Sequence, residues 1–144
     1  MRELEGDIWD MPCKFRVITT NCQIRQNGKL VMGKGIALQA RERYPGIDYT
    51  LGKLVAAGGN HVYVLHEEGI VSFPTKWDWR RQSDLELIRR SALELSHLLR
   101  SVLRKEDTVL LPPPGCGNGG LMWKDVKPVI APLLDHHYIV VHYA

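Results

Sequence analysis

Apolar and polar positions along the chain follow two rhythms, one repeating every second residue and one every three to four. Residues 15–20 (Phe-Arg-Val-Ile-Thr-Thr), 61–66, 70–75, 108–111 and 138–143 are short β-branched and aliphatic runs flanked by turn residues, and each predicts a strand. Residues 4–8 predict a shorter first strand that ends at an acidic turn. The longest helix is expected over residues 83–105. There Leu85, Ile88, Ala92, Leu95, Leu99 and Val102 recur at helical spacing, and Ser83 followed by Glu86 has the capping-box pattern. Arg89, Arg90, Arg100 and Arg104 read as the solvated face of that helix. Other helices are expected from the glycine-bearing run 32–38 to Tyr44, from Ile47 to Ala57, and from Met122 to Leu134 with an interruption near Pro132. Strands that alternate with helices imply an α/β fold around a mixed or parallel sheet. Repeats, linkers and low-complexity stretches are absent from the sequence, so residues 1–144 read as one compact domain.

Composition adds exclusions. A chain of 144 residues with 44% hydrophobic and 24% charged positions can bury one substantial core. It has no apolar run long enough to span a membrane, and residues 1–7 do not read as a signal peptide. Cys13, Cys22 and Cys116 are scattered and odd in number, which argues against a disulfide framework or structural zinc and fits a reducing, cytoplasmic setting. The histidines lack metal spacing; His136 and His137, being adjacent, are expected to point apart. No metal or cofactor is implied, and a monomer is expected. The net charge of +3 permits an anionic ligand without singling out nucleic acid.

The most informative stretch follows the strand at 108–111. Four glycines, Gly115, Gly117, Gly119 and Gly120, fall within six positions, ahead of a helix that opens near Met122. Glycines lend a loop positive φ and let main-chain N–H groups approach a ligand, and a helix N-terminus favours negative charge. The run predicts a phosphate-binding loop; a plain tight turn needs fewer glycines. Ligands of α/β folds bind beyond the carboxyl ends of strands. The residues there are Asp7 and Ile8, Asn21, the loop Gly33-Lys34-Gly35, Thr75 with Lys76, and the second glycine loop. Two glycine loops and one acidic turn suit a diphosphate joined to a group that donates to a carboxylate, such as an adenine amino group.

Taken together, Gly6-Asp7-Ile8, Thr20-Asn21-Cys22, Gly33-Lys34-Gly35-Ile36-Ala37-Leu38, Phe73-Pro74-Thr75-Lys76 and Pro114-Gly115-Cys116-Gly117-Asn118-Gly119-Gly120-Leu121 resemble the macro domain family. The resemblance covers nearly the whole chain and is closest to the DarG-type DNA ADP-ribosyl glycohydrolases and the related terminal ADP-ribose protein glycohydrolases. It implies a three-layer α/β/α fold with a mixed central sheet, and ADP-ribose as ligand. It implies that Asp7 holds the adenine amino group beside the Ile8 N–H, and that residues 35–38 and 115–120 enclose the diphosphate. Asn21 would face the distal ribose, and Lys76 would be catalytic. The acceptor could be protein or a DNA base in single-stranded DNA. Two further readings stay open: a reader that binds without turnover, and a phosphatase acting on ADP-ribose 1″-phosphate. A lysine at the anomeric carbon serves either as nucleophile or as an ammonium that stabilises the leaving group. Two departures stand out. Gly119 occupies the place of an aspartate in the protein-directed relatives, and residues 23–31 form a longer segment than the resemblance leads one to expect. Trp77, Trp79, Arg80 and Arg81 lie just beyond Lys76, where stacking on an unpaired base is expected or, for the tryptophans, packing under the long helix.

Overall fold

The computed structural model describes residues 1–143. Its six strands are β1 (Arg2–Glu5), β2 (Phe15–Thr20), β3 (Tyr63–Leu65), β4 (Ile70–Pro74), β5 (Val109–Leu111) and β6 (Tyr138–His142). They form one sheet in the order β1-β6-β5-β2-β4-β3. β3 runs antiparallel to β4, and the other neighbouring pairs are parallel. The helices are α1 (Gly35–Arg43), α2 (Ile47–Gly58), α3 (Leu85–Leu99) and α4 (Trp123–Ile130). None of them is long and apolar enough to cross a membrane.

Successive strand side chains point to opposite faces, and the central strands are apolar on both. Val17, Val71, Phe73, Val109, Leu111 and Val140 face α3 and α4, meeting Ile88, Ala92, Leu95, Val126 and Ile130. Ile18 and Ile70 face the other way and are covered by Leu30, Met32, Ala40, Leu51 and Val55 from α1, α2 and the segment before them. Leu110, Ile139 and Val141 on that second face are capped by Ile8. The result is the three-layer sandwich with a mixed sheet that the sequence led us to expect.

Several boundaries differ from expectation, each because a side chain captured a backbone group. The first strand lies over Arg2–Glu5, not residues 4–8. The Asp7 carboxylate accepts the Trp9 N–H at 2.9 Å and starts a turn. The long helix begins one residue later than expected: Asp84 is the N-cap and accepts from the Glu86 and Leu87 N–H groups, while the Ser83 N–H donates to the Gly119 carbonyl. It stops at Leu99, and Asp107 closes a separate turn by accepting from the Arg104 N–H. Residues 61 and 62 stay outside β3 because Glu94 of α3 accepts the Val62 N–H and binds His61 Nδ1 at 2.7 Å. Arg90 is not simply solvated: it pairs with Glu94, donates to the Asn60 carbonyl and lies over the Trp77 ring. His136 and His137 do not diverge either. They sit in a turn, not a strand, so their rings stack 4.0 Å apart, and with Asp135 they form a group of potential metal-ligand atoms.

Candidate active site

The parallel strands deliver their carboxyl ends to one edge of the sheet, and a cavity of about 820 Å³ opens there. That volume suits a nucleotide-sized ligand. β2 supplies Thr20 and Asn21, β4 supplies Thr75 and Lys76, and β5 leads through Pro112 and Pro113 to Gly115, Cys116, Gly117, Asn118 and Gly119. The remaining wall is the start of α1, with Gly33, Lys34, Gly35, Ile36 and Ala37. The first turn of α1 has no side-chain cap and no acidic residue, so its N–H groups are free to meet an anion. Leu38, expected among the ligand contacts, lies outside the cavity; its N–H is already spent on the Lys34 carbonyl inside the helix.

The second glycine loop is shaped from within. Gly115, Gly117 and Gly120 take φ values of 77°, 70° and 79°, a region open to glycine at no steric cost. The Gly120 N–H closes onto the Gly117 carbonyl and the Leu121 N–H onto the Gly115 carbonyl, so Gly120 and Leu121 support the loop from behind. Pro114 is likewise buried beneath it, outside the cavity. Gly119 answers to a different demand, because an added Cβ would lie 2.3 Å from Ser83 Oγ. That hydroxyl is buried and has no hydrogen-bond partner. Gly35 meets Asn118 across the cavity, its would-be Cβ being 3.3 Å from the Asn118 amide nitrogen, so the two glycine loops approach one another.

Lys76 is held firmly. Ser91 donates to the Pro74 carbonyl at 2.7 Å, Asn60 to the Lys76 carbonyl at 3.1 Å, and the Asp84 N–H to the Thr75 carbonyl at 2.9 Å. The Thr75 N–H donates to the Thr20 carbonyl at 3.0 Å, tying the segment back to β2. From this anchored backbone the Lys76 ammonium crosses to the Asn118 carbonyl at 3.3 Å. Sequence reasoning missed Asn60 and Ser91; the available signal was a serine on the apolar face of α3 beside Ile88, Ala92 and Leu95.

Asn21 also lines the cavity, but its amide has structural work. It donates to the Val31 carbonyl at 3.2 Å and accepts from the Gln23 N–H at 2.9 Å, closing the neck of a hairpin over residues 23–31. Gln23, Ile24 and Arg25 of this hairpin line the cavity, so the unexpectedly long segment contributes to the site, though none of the three stood out individually in the sequence. Asp7 and Ile8 lie outside the lining. Ile8 packs in the same apolar cluster as Ile36, which sets the turn beside the α1 end of the cavity.

Among the described residues the cavity is lined by Arg25, Lys34 and Lys76 and by no aspartate or glutamate. Burial pushes the Cys116 and Cys22 thiols above their ordinary range, keeping both protonated and poorly nucleophilic. Trp77 and Trp79 are both exposed and neither is buried beneath α3, although Trp77 lies against Arg90 of that helix. Trp77 donates to Asp84 at 3.2 Å, and Trp79 reaches the cavity with Arg80 above its ring. Arg80 is paired with Asp78, whose carboxyl is held down to about 2 by that guanidinium.

No family model matches the chain. A DNA ADP-ribosyl glycohydrolase of Mycobacterium tuberculosis is 34% identical over 133 residues, covering 85% of this chain and 35% of that protein. The chain therefore spans about a third of the length of the curated relatives it matches. Among solved structures, the macrodomain of Mycobacterium tuberculosis DarG superimposes with a TM-score of 0.79 at 30% identity, over 98% of this chain and 95% of that one. Thermosipho africanus DarTG, solved in complex with ADP-ribose, shares the fold with a TM-score of 0.74 at 19% identity, over 100% of this chain and 42% of that one.

Proposed function

The chain belongs to the macro domains of the DarG type, and from that premise we propose that it binds ADP-ribose and hydrolyses its bond to a base of single-stranded DNA. The free N–H groups at the start of α1 and the loop Gly117–Gly119 take the diphosphate from two sides. Lys34 adds charge at the same wall. The turn at Asp7 and Ile8 receives the adenine. Asn21 and Lys76 meet the distal ribose.

In the reaction, water oxygen becomes bonded to the anomeric carbon, the bond from that carbon to the acceptor breaks, and a proton passes to the acceptor. The observation that carries the proposal is Lys76 itself, an amine on a backbone pinned by Asn60, Ser91 and Asp84, aimed across a cavity whose lining, among the described residues, has no aspartate or glutamate. The lack of an aspartate or glutamate in the lining, among the described residues, supports the lysine as the group that acts on the leaving base. As an ammonium it stabilises the departing group; as an amine it displaces the base from the anomeric carbon, the ribose ring opens to an imine, and water hydrolyses that imine to free ADP-ribose and the lysine, so that borohydride reduction of the imine separates the two. Trp79, exposed at the cavity, offers a face on which a neighbouring base stacks.

The test is release of ADP-ribose from an ADP-ribosylated single-stranded oligonucleotide. Wild type releases it, and Lys76→Ala is slower by roughly 10²–10⁴-fold. Free ADP-ribose binds both proteins with similar affinity by calorimetry. Equal turnover by the two would remove Lys76 from the chemistry, and binding without any release would leave a reader.

A further inference from the structure

The hairpin over residues 23–31 is more elaborate than a connection between β2 and α1 requires. Its strands are joined by the Val31 N–H to the Gln23 carbonyl and the Arg25 N–H to the Lys29 carbonyl, with an isolated bridge between Ile24 and Leu30. The turn closes from the Gly28 N–H to the Arg25 carbonyl, with Gly28 at φ 87°. The whole unit is docked on α2. Leu30 is buried, its N–H donates to the Asp48 carbonyl, and the Gly28 carbonyl presses onto Gly52 so closely that a Cβ there would lie 1.9 Å away. Asn21 fastens the neck.

This construction holds the backbone of one exposed cation, Arg25, at the hairpin side of the cavity. Arg25 lines the cavity and, among the described residues, has no ion pair and no side-chain hydrogen bond. Of the other cations near the cavity, Lys34 is likewise unpaired among the described residues but stands at the α1 wall, beside the N–H groups proposed for the diphosphate, while Arg80 is held by Asp78 and Lys76 by Asn118. The hairpin also springs from Asn21, which the proposed reading puts at the distal ribose and the bond to the acceptor.

We propose that Arg25 is an acceptor-specificity residue that contacts a backbone phosphate of the strand carrying the ADP-ribose. The proposal rests on the DNA reading above. An arginine on a rigid hairpin engages a phosphate bidentately with little loss of side-chain freedom. It acts on the acceptor and leaves the diphosphate of ADP-ribose to the glycine loops.

The experiment measures binding of a fluorescent ADP-ribosylated single-stranded oligonucleotide by anisotropy over a salt series, with Lys76→Ala as background so that the probe survives. Adding Arg25→Ala weakens binding roughly tenfold, and the slope of log K against log salt becomes shallower by about 0.7, the loss of one phosphate contact. Arg25→Lys restores most of the slope, and free ADP-ribose affinity by calorimetry is the same in all three. An unchanged salt slope overturns the proposal. So does a parallel loss of free ADP-ribose affinity, which would assign Arg25 to the ligand's own diphosphate. If wild type binds the oligonucleotide but never releases ADP-ribose, the glycohydrolase reading fails while Arg25 is still judged by its slope.

Discussion

A Cβ on Gly119 would lie 2.3 Å from Ser83 Oγ and 3.2 Å from Ser83 Cβ, although the backbone at 119 is not in the left-handed region. The residue is glycine to make room for a neighbour, and nothing in the local sequence announces such a demand. In contrast, Gly115, Gly117 and Gly120 meet the dihedral requirement that a glycine-rich run advertises. Any side chain at 119 must thus displace Ser83. Gly119→Asp is expected to destabilise the protein by ~1–3 kcal/mol through overpacking. Combining it with Ser83→Gly, which removes the obstructing atoms, restores much of that loss in urea unfolding. Purely additive effects would mean that the loop gives way without involving Ser83. Lys76 was legible as a strand-end residue, and the structure puts it in the cavity lining. Its anchors Asn60 and Ser91 were not legible, because a carbonyl contact between distant segments leaves no trace in either one.

Among the elements, the strands and helices of the sandwich were legible because period two and period 3.6 each persist over their length. The ends were less so. Asp84 replaced Ser83 as cap since its carboxylate reaches two N–H groups while Ser83 is drawn to Gly119. The hairpin was visible only as an Asn27-Gly28 turn inside an unexpectedly long segment. Its docking partner, Gly52, looks from sequence like a weak point in a helix and is instead the contact surface for a carbonyl. Gly52→Ala should therefore cost ~1–3 kcal/mol, against the gain an exposed helical glycine-to-alanine change brings. It should also weaken oligonucleotide binding while sparing free ADP-ribose, since Arg25 moves and the glycine loops stay. A stabilised variant in thermal unfolding would show that the hairpin does not bear on α2.

For the molecule as a whole, the layer architecture followed from the alternation of elements, whereas the order β1-β6-β5-β2-β4-β3 did not, because local pattern does not name a strand's neighbours. The site was legible as a set of strand-end residues for the same reason that parallel strands share an edge. One contact ties the first and last strands to the last helix: Glu3 accepts from Lys127 at 2.6 Å, His142 at 2.9 Å and the Trp123 indole at 2.9 Å. The Lys127 ammonium, then His142, hold its carboxyl down to about 2. A carboxyl lowered on folding stabilises the protein above its unfolded value, near 4.5, and that contribution is lost as pH falls toward about 2. Glu3→Gln should thus lower stability at pH 7 and flatten its decline between pH 5 and 2, measured as urea midpoints; an unchanged slope would mean that other lowered carboxyls such as Asp107 and Asp135 carry the acid response. The hairpin has a consequence on the same scale. It is fastened through main-chain groups, Leu30 and the side chains of Asn21 and Asn27, whereas Arg25, Gln26 and Lys29 are exposed and their side chains take no part in that fastening. Substitutions at those exposed positions leave both the fastening and the glycine loops intact. Under the proposed reading, selection can retune the choice of acceptor here while the glycine loops are inherited unchanged, which makes this segment the natural seat of divergence among descendants of the same scaffold.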